Sequence, residues 1–477
     1  MAFSNPAASP FSGNVYIDGL LWGSHWNDPT LGTRLKVYIA GVNGNEVFDF
    51  GGTPVTANTD PQEVAVFQHA MQLVEHVCNV KFMIATRQSD ADIIVGAASN
   101  SDVQGGLGVS IPPGEDIGPV INRQGAAIVN FDAYSSDDYS SLHQGGYDFI
   151  TVIHEFGHAV GLKHPHDSGG GKRPNFPGVT DPFGDYGDFN LNQGIYTVMT
   201  YNDGWQTNPN GPLDPAITPG YGYEGTPMAL DIAALQFLYG ANTNYRMGND
   251  VYTLSSINVP GTFYSCIWDT GGMETIRNSS TKNSTIDLRA ATLQHALDGG
   301  GYLSVVDGIN GGFTIAQGVM IENATGGTGL DTIRGNWMAN TLIGNAGNDW
   351  INGFGGADNI KGGKGADTLI GGGGADTFIY TAANDSIGQF DLIKDFVQGL
   401  DNIDVATIDA NGDAIGNAAF VFRGSSKFTG AGAEVRFVKN ASNNVTNVLF
   451  DIDGNQAPDM TIRLTGLITM EASDFSL

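Results

Sequence analysis

Hydrophobic and polar positions along the first 240 residues alternate between strand-like and helix-like patterns. Residues 35–40 alternate apolar and polar side chains, as a half-buried strand does. Asp60 and Pro61 then open a predicted helix, whose apolar side chains recur at helical spacing. These apolar positions are Val64, Phe67, Met71, Val74 and Val77. Two short apolar runs, 91–96 and 126–131, are predicted strands, so this region predicts an α/β core with a mixed sheet.

Two further helices are predicted before residue 240. One begins near Tyr147 in an apolar stretch, and the other covers residues 227–240 and ends at Gly240. Between them, residues 165–192 are rich in Gly, Pro, Asp and Asn, and we expect this long loop to wall or cover a cleft. A domain boundary is predicted after residue 240. Residues 17–240 would form the first domain, and residues 1–16 a flexible leader.

A nine-residue repeat marks the second half of the chain. Six nonapeptides follow one another without a gap and begin at Gly326, Gly335, Gly344, Gly353, Gly362 and Gly371. Their sixth positions are Asp331, Asn340, Asp349, Asp358, Asp367 and Asp376. Their eighth positions are Ile333, Leu342, Ile351, Ile360, Leu369 and Phe378. This period predicts a parallel β-roll in which the apolar eighth residue points inward.

The repeat also predicts several calcium sites. The sixth-position carboxylates line the turns, where stacked neighbours can share Ca²⁺ with backbone carbonyl oxygens. The predicted glycine ligands are Gly344, Gly353, Gly362 and Gly371. Because such a coil has almost no side-chain core, we predict that it stays unfolded without calcium. In the second repeat Met338 and Asn340 replace Gly and Asp, so calcium beside that turn is expected to be weaker or absent.

Strands are also predicted beyond the repeats. Residues 390–396 and 448–455 are expected to belong to a β-sandwich that caps the roll. Asp451, Asp453 and Asn455 resemble part of a calcium loop without its spaced acidic closing residue. A cation site and an ordinary turn both remain open for this segment.

Composition excludes some partners. The 477 residues include 50 acidic and 21 basic side chains, for a formal charge of −29, so nucleic acid is not an expected partner. No apolar run approaches the length of a membrane span, and the N-terminus does not resemble a Sec-type signal peptide. Cys78 and Cys266 are predicted to be core or free thiols rather than a disulfide.

The strongest chemical signal is HExxHxxGxxH at residues 154–164. On a helix His154 and His158 share one face, so both imidazoles can point at one ion. Glu155 is placed to act as a base toward water at that ion. Gly161 can turn the chain so that His164 becomes a third ligand. Three imidazoles with one open position are expected of catalytic rather than structural zinc.

A second signal follows at residues 195–201. A methionine downstream of the extended motif, Met199, can lie beneath the ligand imidazoles as an apolar floor. Two residues later, Tyr201 can swing its phenol toward the metal. On their own these would be a packing methionine and a surface tyrosine. Together with His164 they predict a zinc enzyme.

These features together resemble the serralysin family of secreted bacterial zinc metalloproteases, which are metzincins. The resemblance rests on the His154–His164 motif followed by Pro165, on the Val198-Met199-Thr200-Tyr201 run, and on the nonapeptides after the first domain. It implies a mixed α/β, or α+β, metzincin protease domain, followed at residues 241–477 by an all-β domain of parallel β-roll and β-sandwich. Residues 1–16 would then be all or part of a propeptide.

The resemblance also implies roles for individual residues. One Zn²⁺ is held by His154, His158 and His164, with Tyr201 as a displaceable further ligand. Glu155 is the general base of peptide hydrolysis, and Met199 forms the Met-turn. An extended substrate is expected against an edge strand, for which residues 127–131 are the candidate. Two calcium loops near the domain boundary are implied to bind through Arg246, Gly248, Asp250, Asp269, Gly271 and Glu274, with Glu274 standing where the family has Asp.

Localisation and partners are likewise implied by the resemblance. The C-terminal residues 473–477 are similar to the uncleaved signal read by a type I ABC secretion apparatus, so we expect a secreted, extracellular monomer without an N-terminal signal peptide. Protein or peptide substrates are the expected partners, and a periplasmic protein inhibitor is a further candidate.

The sequence disfavours two other classes of protein. A calcium-dependent surface or adhesion protein would use the repeat as its functional part, but a retired protease would tolerate loss of Glu155 or a histidine, and none is lost. A cytolytic toxin would need long membrane-active segments, which the sequence lacks. Cleavage-site preference, natural substrate, mature N-terminus and calcium count do not follow from the sequence.

Overall fold

The computed structural model covers most of the chain. It describes residues 5–27, 33–50, 53–103, 105–114, 125–131, 139–170, 173–386, 388, 390–409 and 419–477. Within these ranges, no helix combines the length and the apolar character needed to cross a membrane.

The first half of the chain contains the helices. They are α1 (Val15–Leu20), α2 (Pro61–Val77), α3 (Tyr147–Ala159) and α4 (Ala229–Tyr239). The strands of this half are β1 (Asn5–Ala8), β2 (Ser24–Asn27), β3 (Thr33–Ile39), β4 (Glu46–Phe50), β5 (Thr53–Ala57), β6 (Val80–Ile84), β7 (Ile93–Ala97), β8 (Gly108–Ile111) and β9 (Ala126–Val129). The predicted helices near 61–77, 147 and 227–240 are thus confirmed to within a few residues.

Five strands form a mixed sheet in the order β6-β3-β7-β9-β8. The first four are parallel, and β8 runs antiparallel to β9 at the edge. The prediction that residues 127–131 form the edge is therefore wrong, because β9 is flanked on both sides. Helix α3 packs against β8 and β9 on one side and contacts α2. The edge strand β8 thus lies directly beside the helix that carries the histidine motif.

Helix α2 follows its predicted pattern. The Asp60 carboxylate accepts hydrogen bonds from the backbone N–H groups of Gln62 and Glu63, and the Glu63 side chain accepts one from the Asp60 N–H. This reciprocal cap satisfies backbone donors that would otherwise lack partners. Four of the five predicted apolar positions are buried, and Val64 packs at their margin.

The N-terminal segment is not a flexible leader. Strand β1 pairs antiparallel with β2, and Asn14 caps helix α1 through bonds from the N–H groups of Tyr16 and Ile17. The guanidinium of Arg173 donates to the carbonyls of Ser9 and Pro10. The expectation of flexibility is therefore wrong for the described residues from 5 onward, because local hydrogen bonds fix them.

The second half consists of short strands. They are β10 (Val251–Thr253), β11 (Tyr264–Ile267), β12 (Thr275–Arg277), β13 (Ser284–Asp287), β14 (Ser304–Val306), β15 (Gly312–Ile315), β16 (Asn323–Thr325), β17 (Asp331–Arg334), β18 (Thr341–Ala346), β19 (Trp350–Asn352), β20 (Asn359–Lys364), β21 (Thr368–Ile370), β22 (Thr377–Ile379), β23 (Asp391–Ile393), β24 (Asn402–Asp404), β25 (Val421–Phe422), β26 (Glu434–Asn440), β27 (Val445–Asp451), β28 (Met460–Thr465) and β29 (Phe475–Ser476).

Successive nonapeptides alternate between two sheets. Strands β17, β19 and β21 pair in parallel in one sheet, and β18, β20 and β22 do so in the other. Each strand therefore pairs with the strand two repeats later, as Ile333 does with Ile351 and Leu342 with Ile360. All six eighth-position side chains are buried. The repeat and its inward apolar column are as predicted for a parallel roll.

The strands after the repeats do not form a separate sandwich. Strand β23 pairs with β21 and with β28, and β28, β27 and β26 continue the same sheet antiparallel. Strand β24 pairs with β22 and β29 and extends the other sheet. Strands are thus present in both predicted stretches, and they continue the two sheets of the roll. Cys78 and Cys266 are buried free thiols, as expected.

Candidate metal centre and substrate cleft

Helix α3 presents three functional side chains. His154, Glu155 and His158 are buried within its last turns, and the His154 and His158 rings lie 4.9 Å apart between centroids. The helix ends at Ala159, and Gly161 adopts a φ of +105°. A Cβ there would lie 2.8 Å from the Ser24 carbonyl oxygen. Only glycine allows both this conformation and this close approach, and the turn returns His164 to the helix.

The three imidazoles converge through the same ring nitrogen. His164 Nε2 lies 3.1 Å from His154 Nε2 and 2.9 Å from His158 Nε2. Burial, aided by the neighbouring rings, lowers the pKa of His154 and His158 to about 3 and that of His164 to about 4. All three rings are therefore neutral near pH 7.

The other ring nitrogen of each histidine, Nδ1, donates a hydrogen bond to an acceptor. His154 Nδ1 donates to the Val198 carbonyl at 2.7 Å, and His158 Nδ1 to the Leu162 carbonyl at 2.9 Å. His164 Nδ1 donates to Asp167 Oδ2 at 2.7 Å. With the single ring proton on Nδ1, each Nε2 carries a lone pair, and three lone pairs face one small space.

This donor set fits zinc. Nitrogen ligands about 2.0–2.1 Å from a tetrahedral zinc lie about 3.3 Å from one another, close to the separations observed here. Neutral imidazoles fixed through Nδ1 are the usual state of histidines that bind a metal through Nε2.

Glu155 faces the same space from the adjacent helix position. Burial raises the pKa of its carboxyl group to about 7. Gly108 of the edge strand β8 packs on it, since a Cβ there would lie 2.5 Å from Glu155 Cγ. The Ser110 hydroxyl of the same strand donates to the Glu155 carbonyl at 2.8 Å. The edge strand and the carboxyl group are therefore held side by side.

Met199 lies beneath the histidines. It is fully buried, and a Cβ on Gly157 would lie 2.6 Å from its sulfur atom. The turn that carries it is fixed by Asp231, whose carboxylate accepts from the Thr197 hydroxyl at 2.6 Å and from the Val198 N–H at 2.7 Å. Since the Val198 carbonyl also accepts the hydrogen bond from His154 Nδ1, Asp231 orients the His154 ring through two successive hydrogen bonds.

Tyr201 stands over the histidines and remains partly exposed. Its ring centroid lies 4.6 Å from that of His164 and 5.0 Å from that of His166. Burial, with the nearby carboxylates, raises the pKa of its hydroxyl to about 12, so the phenol keeps its proton and can donate it in a hydrogen bond. Phe183, from the loop predicted at 165–192, stacks on the same ring at 5.2 Å. That loop walls the cleft, as predicted.

A cavity of about 290 Å³ opens beside Glu155. Its lining includes Leu107, Ile150 and Phe183 as apolar walls, with Tyr147 and Asp203 as polar groups. The Tyr147 hydroxyl donates to Asp203 Oδ2 at 3.1 Å, and burial raises the pKa of Asp203 to about 6. The sequence motifs gave no indication of Asp203.

The sequence analysis did not identify Asp167, although its spacing from His164 was a usable signal. Asp167 follows His164 by three residues, the spacing at which a loop carboxylate can reach back to a ring. Burial opposes ionisation of Asp167, but the hydrogen bond from His164 and the charge of Lys163 hold its pKa at about 2. His164, His166 and Asp167 also form a second group of close potential ligands, which shares His164 with the first.

In most of the roll aspartates, one carboxylate oxygen accepts a hydrogen bond and the other has no hydrogen-bond partner in the described structure. In five of them Oδ1 accepts a backbone N–H from the preceding coil at 2.7–2.9 Å, while Oδ2 is buried without a hydrogen-bond partner among the described residues. These five are Asp349, Asp358, Asp367, Asp376 and Asp391. An orphaned buried oxygen in each of five stacked turns is the arrangement a bound cation would complete.

The turn glycines bring carbonyl oxygens to these carboxylates. A Cβ on Gly344 would lie 2.3 Å from Asp349 Oδ2 and 2.5 Å from the Gly362 carbonyl oxygen. Gly353 stands in the same relation to Asp358 and to the Gly371 carbonyl. Carboxylate and carbonyl oxygens therefore face one space, as calcium requires. Asp331 differs, because both of its oxygens accept hydrogen bonds, from Ser284 and Gly327.

Only some of the predicted calcium ligands in the two loops near the domain boundary, at residues 246–250 and 269–274, lie close together. A Cβ on Gly272 would lie 2.1 Å from the Gly248 carbonyl oxygen and 2.2 Å from Glu274 Oε1, which is buried without a partner in the described structure. Burial and the neighbouring Glu322 raise the pKa of Glu274 to about 8. Glu322, which the sequence did not single out, accepts the Glu274 N–H at 2.9 Å.

The remaining predicted ligands of these loops have partners within the protein. Asp269 accepts hydrogen bonds from the Tyr252 hydroxyl at 2.5 Å and from the Gly271 N–H at 3.1 Å. Asp250 lies 3.9 Å from the Arg246 guanidinium. The structure thus brings Gly248 and Glu274 together and leaves Arg246 and the half-buried Asp250 as an ion pair.

The loop at residues 451–459 brings three carboxyl groups close together. Asp459 lies with Asp451 and Asp453, their carboxylate oxygens within 4.8 Å of one another. Asp459 Oδ2 accepts the Ile452 N–H at 2.7 Å, so it also closes the turn. Asp459 stands eight residues after Asp451, a shorter spacing than that of the closing glutamate in a twelve-residue calcium loop, so the spaced closing residue is absent, as the sequence indicated.

Comparison with known proteins places the chain in one family. A model of the peptidase M10 serralysin C-terminal region matches residues 229–477. Serralysin from Proteus mirabilis is 42% identical over 344 residues, which are 69% of this chain and 64% of that protein. Serralysin C from Dickeya chrysanthemi is 38% identical over 71% of this chain and 64% of its own length. A serralysin from Photorhabdus laumondii is 33% identical over 84% of this chain and 77% of its own. The chain thus spans just under two thirds of the first two relatives.

Proposed function

The chain belongs to the serralysin family of M10 peptidases, and we propose that it is a secreted zinc-dependent endopeptidase that calcium folds and stabilises. The observation that carries the proposal is the convergence of three imidazole Nε2 atoms, separated by 2.9 and 3.1 Å, beside a buried carboxyl group. His154, His158 and His164 would hold one Zn²⁺, and Tyr201 would be a displaceable ligand. When bound, zinc supplies Lewis-acid chemistry by acidifying water and polarising the scissile carbonyl.

The protein's own residues would move the proton and stabilise the charge. Glu155, with a pKa raised by burial to about 7, is suited to accept a proton from the attacking water and to return it to the leaving amine. The Tyr201 hydroxyl would donate a hydrogen bond to the oxyanion that forms on the carbonyl. Met199 would keep the floor apolar, and Gly161 would maintain the turn to His164.

The substrate would lie extended along strand β8. Its residues Gly108 and Ser110 contact Glu155, and an edge strand offers unpaired backbone groups to a peptide. Main-chain pairing accommodates many sequences, so proteins or peptides are the expected substrates.

The second half would bind calcium through the roll. The orphaned carboxylate oxygens and turn carbonyls support sites at Asp349, Asp358, Asp367 and Asp376, extended by Asp391, with the carbonyls of Gly344, Gly353, Gly362 and Gly371. Asp331 would contribute at the end of the column. A further site would lie at Gly248 and Glu274, with Arg246, Asp250, Asp269 and Gly271 in the surrounding loops.

We place the metzincin-type protease domain at residues 17–240, after a propeptide remnant at 1–16, and the calcium-binding domain with a C-terminal secretion signal at 241–477. The molecule would act extracellularly as a monomer after passage through a type I ABC apparatus. A periplasmic protein inhibitor is a further proposed partner. A calcium-dependent adhesion protein is the weaker alternative, because adhesion needs neither Glu155 nor the histidines.

The test is substitution of Glu155 by alanine. Peptide hydrolysis should be abolished, while the metal content measured by mass spectrometry stays at one zinc per chain, because Glu155 is not a ligand. Normal hydrolysis by a zinc-loaded Glu155→Ala variant would refute the assignment of the base.

A further inference from the structure

We propose that Asp203 makes this protein select a lysine or arginine at one of the two substrate residues that flank the scissile bond. The inference rests on the proposed peptidase function and adds a substrate class to it. Asp203 lines the cavity that also contains Glu155 and His154, so a side chain entering this cavity must come from a residue next to the reacting carbonyl.

The Asp203 carboxyl group is held in place and keeps one oxygen available. Oδ2 accepts the Tyr147 hydroxyl at 3.1 Å, whereas Oδ1 has no hydrogen-bond partner among the described residues, and the residue as a whole is half-buried. The Asp203 carbonyl accepts from Gln206 Nε2 at 2.6 Å, and the next N–H, of Gly204, donates to the buried Glu224 at 2.8 Å. Because the backbone is held by hydrogen bonds both at Asp203 and at the next residue, the Asp203 carboxylate is preorganised to bind a donor.

The shape of the cavity matches a long side chain with a polar end. Its volume of about 290 Å³ suits one large side chain rather than a whole small-molecule ligand, for which pockets of about 300–1,000 Å³ are usual. Leu107, Ile150 and Phe183 give the cavity apolar walls, and Asp203 is one of its polar lining groups. Lysine and arginine bury an aliphatic stem along such walls and place a cation at the tip.

The charges inside the cavity favour the same choice. Its lining contains two carboxyl groups, Glu155 and Asp203, and the described lining residues include no lysine or arginine. An acidic substrate side chain would meet like charge. An apolar side chain of equal length would displace water from Asp203 without replacing its hydrogen bonds, which is unfavourable. A cationic donor satisfies Asp203, and hydrogen bonds between charged groups are the stronger kind.

The experiment compares two peptides that differ only at one flanking residue, lysine against norleucine, which has the same stem without the charge. Both residues that flank the bond are tested in turn, with the zinc- and calcium-loaded full chain at pH 8. At one of the two positions kcat/KM should be higher for lysine by about tenfold or more. This arm needs no variant and therefore does not depend on the folding of one.

The second arm uses Asp203→Asn, which keeps the shape and an acceptor for Tyr147. The lysine preference should fall several-fold, while hydrolysis of the norleucine peptide is retained or improved. Asp214→Asn removes one exposed charge from the following loop and serves as the control for the overall negative charge. It should leave the preference unchanged.

The outcomes separate the two proposals. No hydrolysis of any peptide by the zinc-loaded protein would refute the peptidase function itself. Hydrolysis with equal rates for lysine and norleucine at both positions would refute the role of Asp203 alone. A lysine preference that survives in Asp203→Asn, or that falls equally in Asp214→Asn, would do the same.

Discussion

Each of the three converging imidazoles is oriented by an acceptor from a different part of the chain. His154 is held by the carbonyl of Val198 in the methionine turn, His158 by the carbonyl of Leu162, and His164 by the Asp167 side chain. The ring orientations therefore depend on the turns around α3 as much as on the helix itself. Asp167 is the only side chain among the three acceptors, so it is the contact that substitution can remove most directly.

Replacing Asp167 by alanine should weaken zinc binding by about 10–100-fold, because the supporting hydrogen bond fixes the ring and raises its basicity. Competition with a fluorescent zinc chelator would measure the dissociation constant. Asp181→Ala, which removes an exposed aspartate from the same loop, is the control and should bind zinc normally. An unchanged dissociation constant in Asp167→Ala would show that His164 is oriented by packing alone.

Tyr201→Phe should reduce kcat by about 10²–10³-fold with little change in KM, the usual consequence of losing one donor to an oxyanion. Burial and the nearby carboxylates raise the pKa of the Tyr201 hydroxyl, which favours the protonated phenol that donates this hydrogen bond. Tyr139→Phe, at an exposed tyrosine bonded to Asp60, provides the comparison. If kcat of Tyr201→Phe matches that of Tyr139→Phe, Tyr201 has no part in the chemistry.

Local sequence patterns predicted individual helices more accurately than they predicted which strands pair with each other. The helical spacing of apolar residues and the Asp60 cap predicted α2, and the motif spacing predicted the face of α3. The edge strand was misplaced because residues 126–131 are the more apolar run, and apolar content indicates burial rather than an edge. Strand β8 could not be identified, since its exposure depends on antiparallel pairing with a strand later in the chain.

The turns of the roll require glycine for two reasons, a positive φ angle and close contact between stacked coils, and two glycines allow these effects to be separated. Gly374 and Gly432 share a φ of +141°, but a Cβ on Gly374 would lie 1.7 Å from the Gly356 carbonyl oxygen, whereas none of the described atoms lies within 4 Å of a Cβ on Gly432. Both positions carry the same backbone strain with a side chain, and only Gly374 adds a clash between stacked coils.

Gly374→Ala should therefore lower the free energy of unfolding by about 1–3 kcal/mol more than Gly432→Ala, the range expected for overpacking. Urea denaturation in saturating calcium, followed by circular dichroism, would measure both. Equal losses would mean that the φ angle alone determines the effect and that the coils can separate without penalty.

At the scale of the whole molecule, the carboxylates of the roll couple folding to pH. Without calcium, burial and mutual repulsion raise the pKa of Asp349 to about 7 and that of Asp391 to about 8, and burial raises that of Asp358 to about 7. An unfolded aspartate has a pKa of about 3.9, so the folded calcium-free roll binds more protons than the unfolded chain between these values. Its stability is therefore highest below about pH 4 and is lost as pH rises through 7–8.

Calcium-free protein should accordingly contain more strand structure at pH 5 than at pH 8, measured by circular dichroism after removal of calcium by chelation and desalting. The calcium-loaded protein, in which the cation replaces these protons, should show no such gain on acidification. A calcium-free roll that loses structure between pH 8 and pH 5 would contradict the placement of these carboxylates.

The sequence anticipated the overall arrangement where its pattern is regular. The nine-residue period predicted the roll and its inward apolar column up to Phe378. Beyond it, Asp391 accepts the Asp367 N–H across 24 residues and Asp401 the Asp376 N–H across 25, instead of the 18 that separate equivalent positions within the repeats. These insertions hide the last two strand pairs from any search for period nine. The docking of β1 on β2 was hidden for a different reason, because a four-residue strand carries too little pattern to be recognised.

The most direct test of the central claim is hydrolysis of casein in excess calcium, with and without phenanthroline as a zinc-selective chelator. If the three histidines hold a catalytic zinc, phenanthroline abolishes hydrolysis and added zinc restores it, while calcium keeps the roll folded throughout. Hydrolysis that continues undiminished in phenanthroline, with zinc shown to be absent from the protein, would contradict the account.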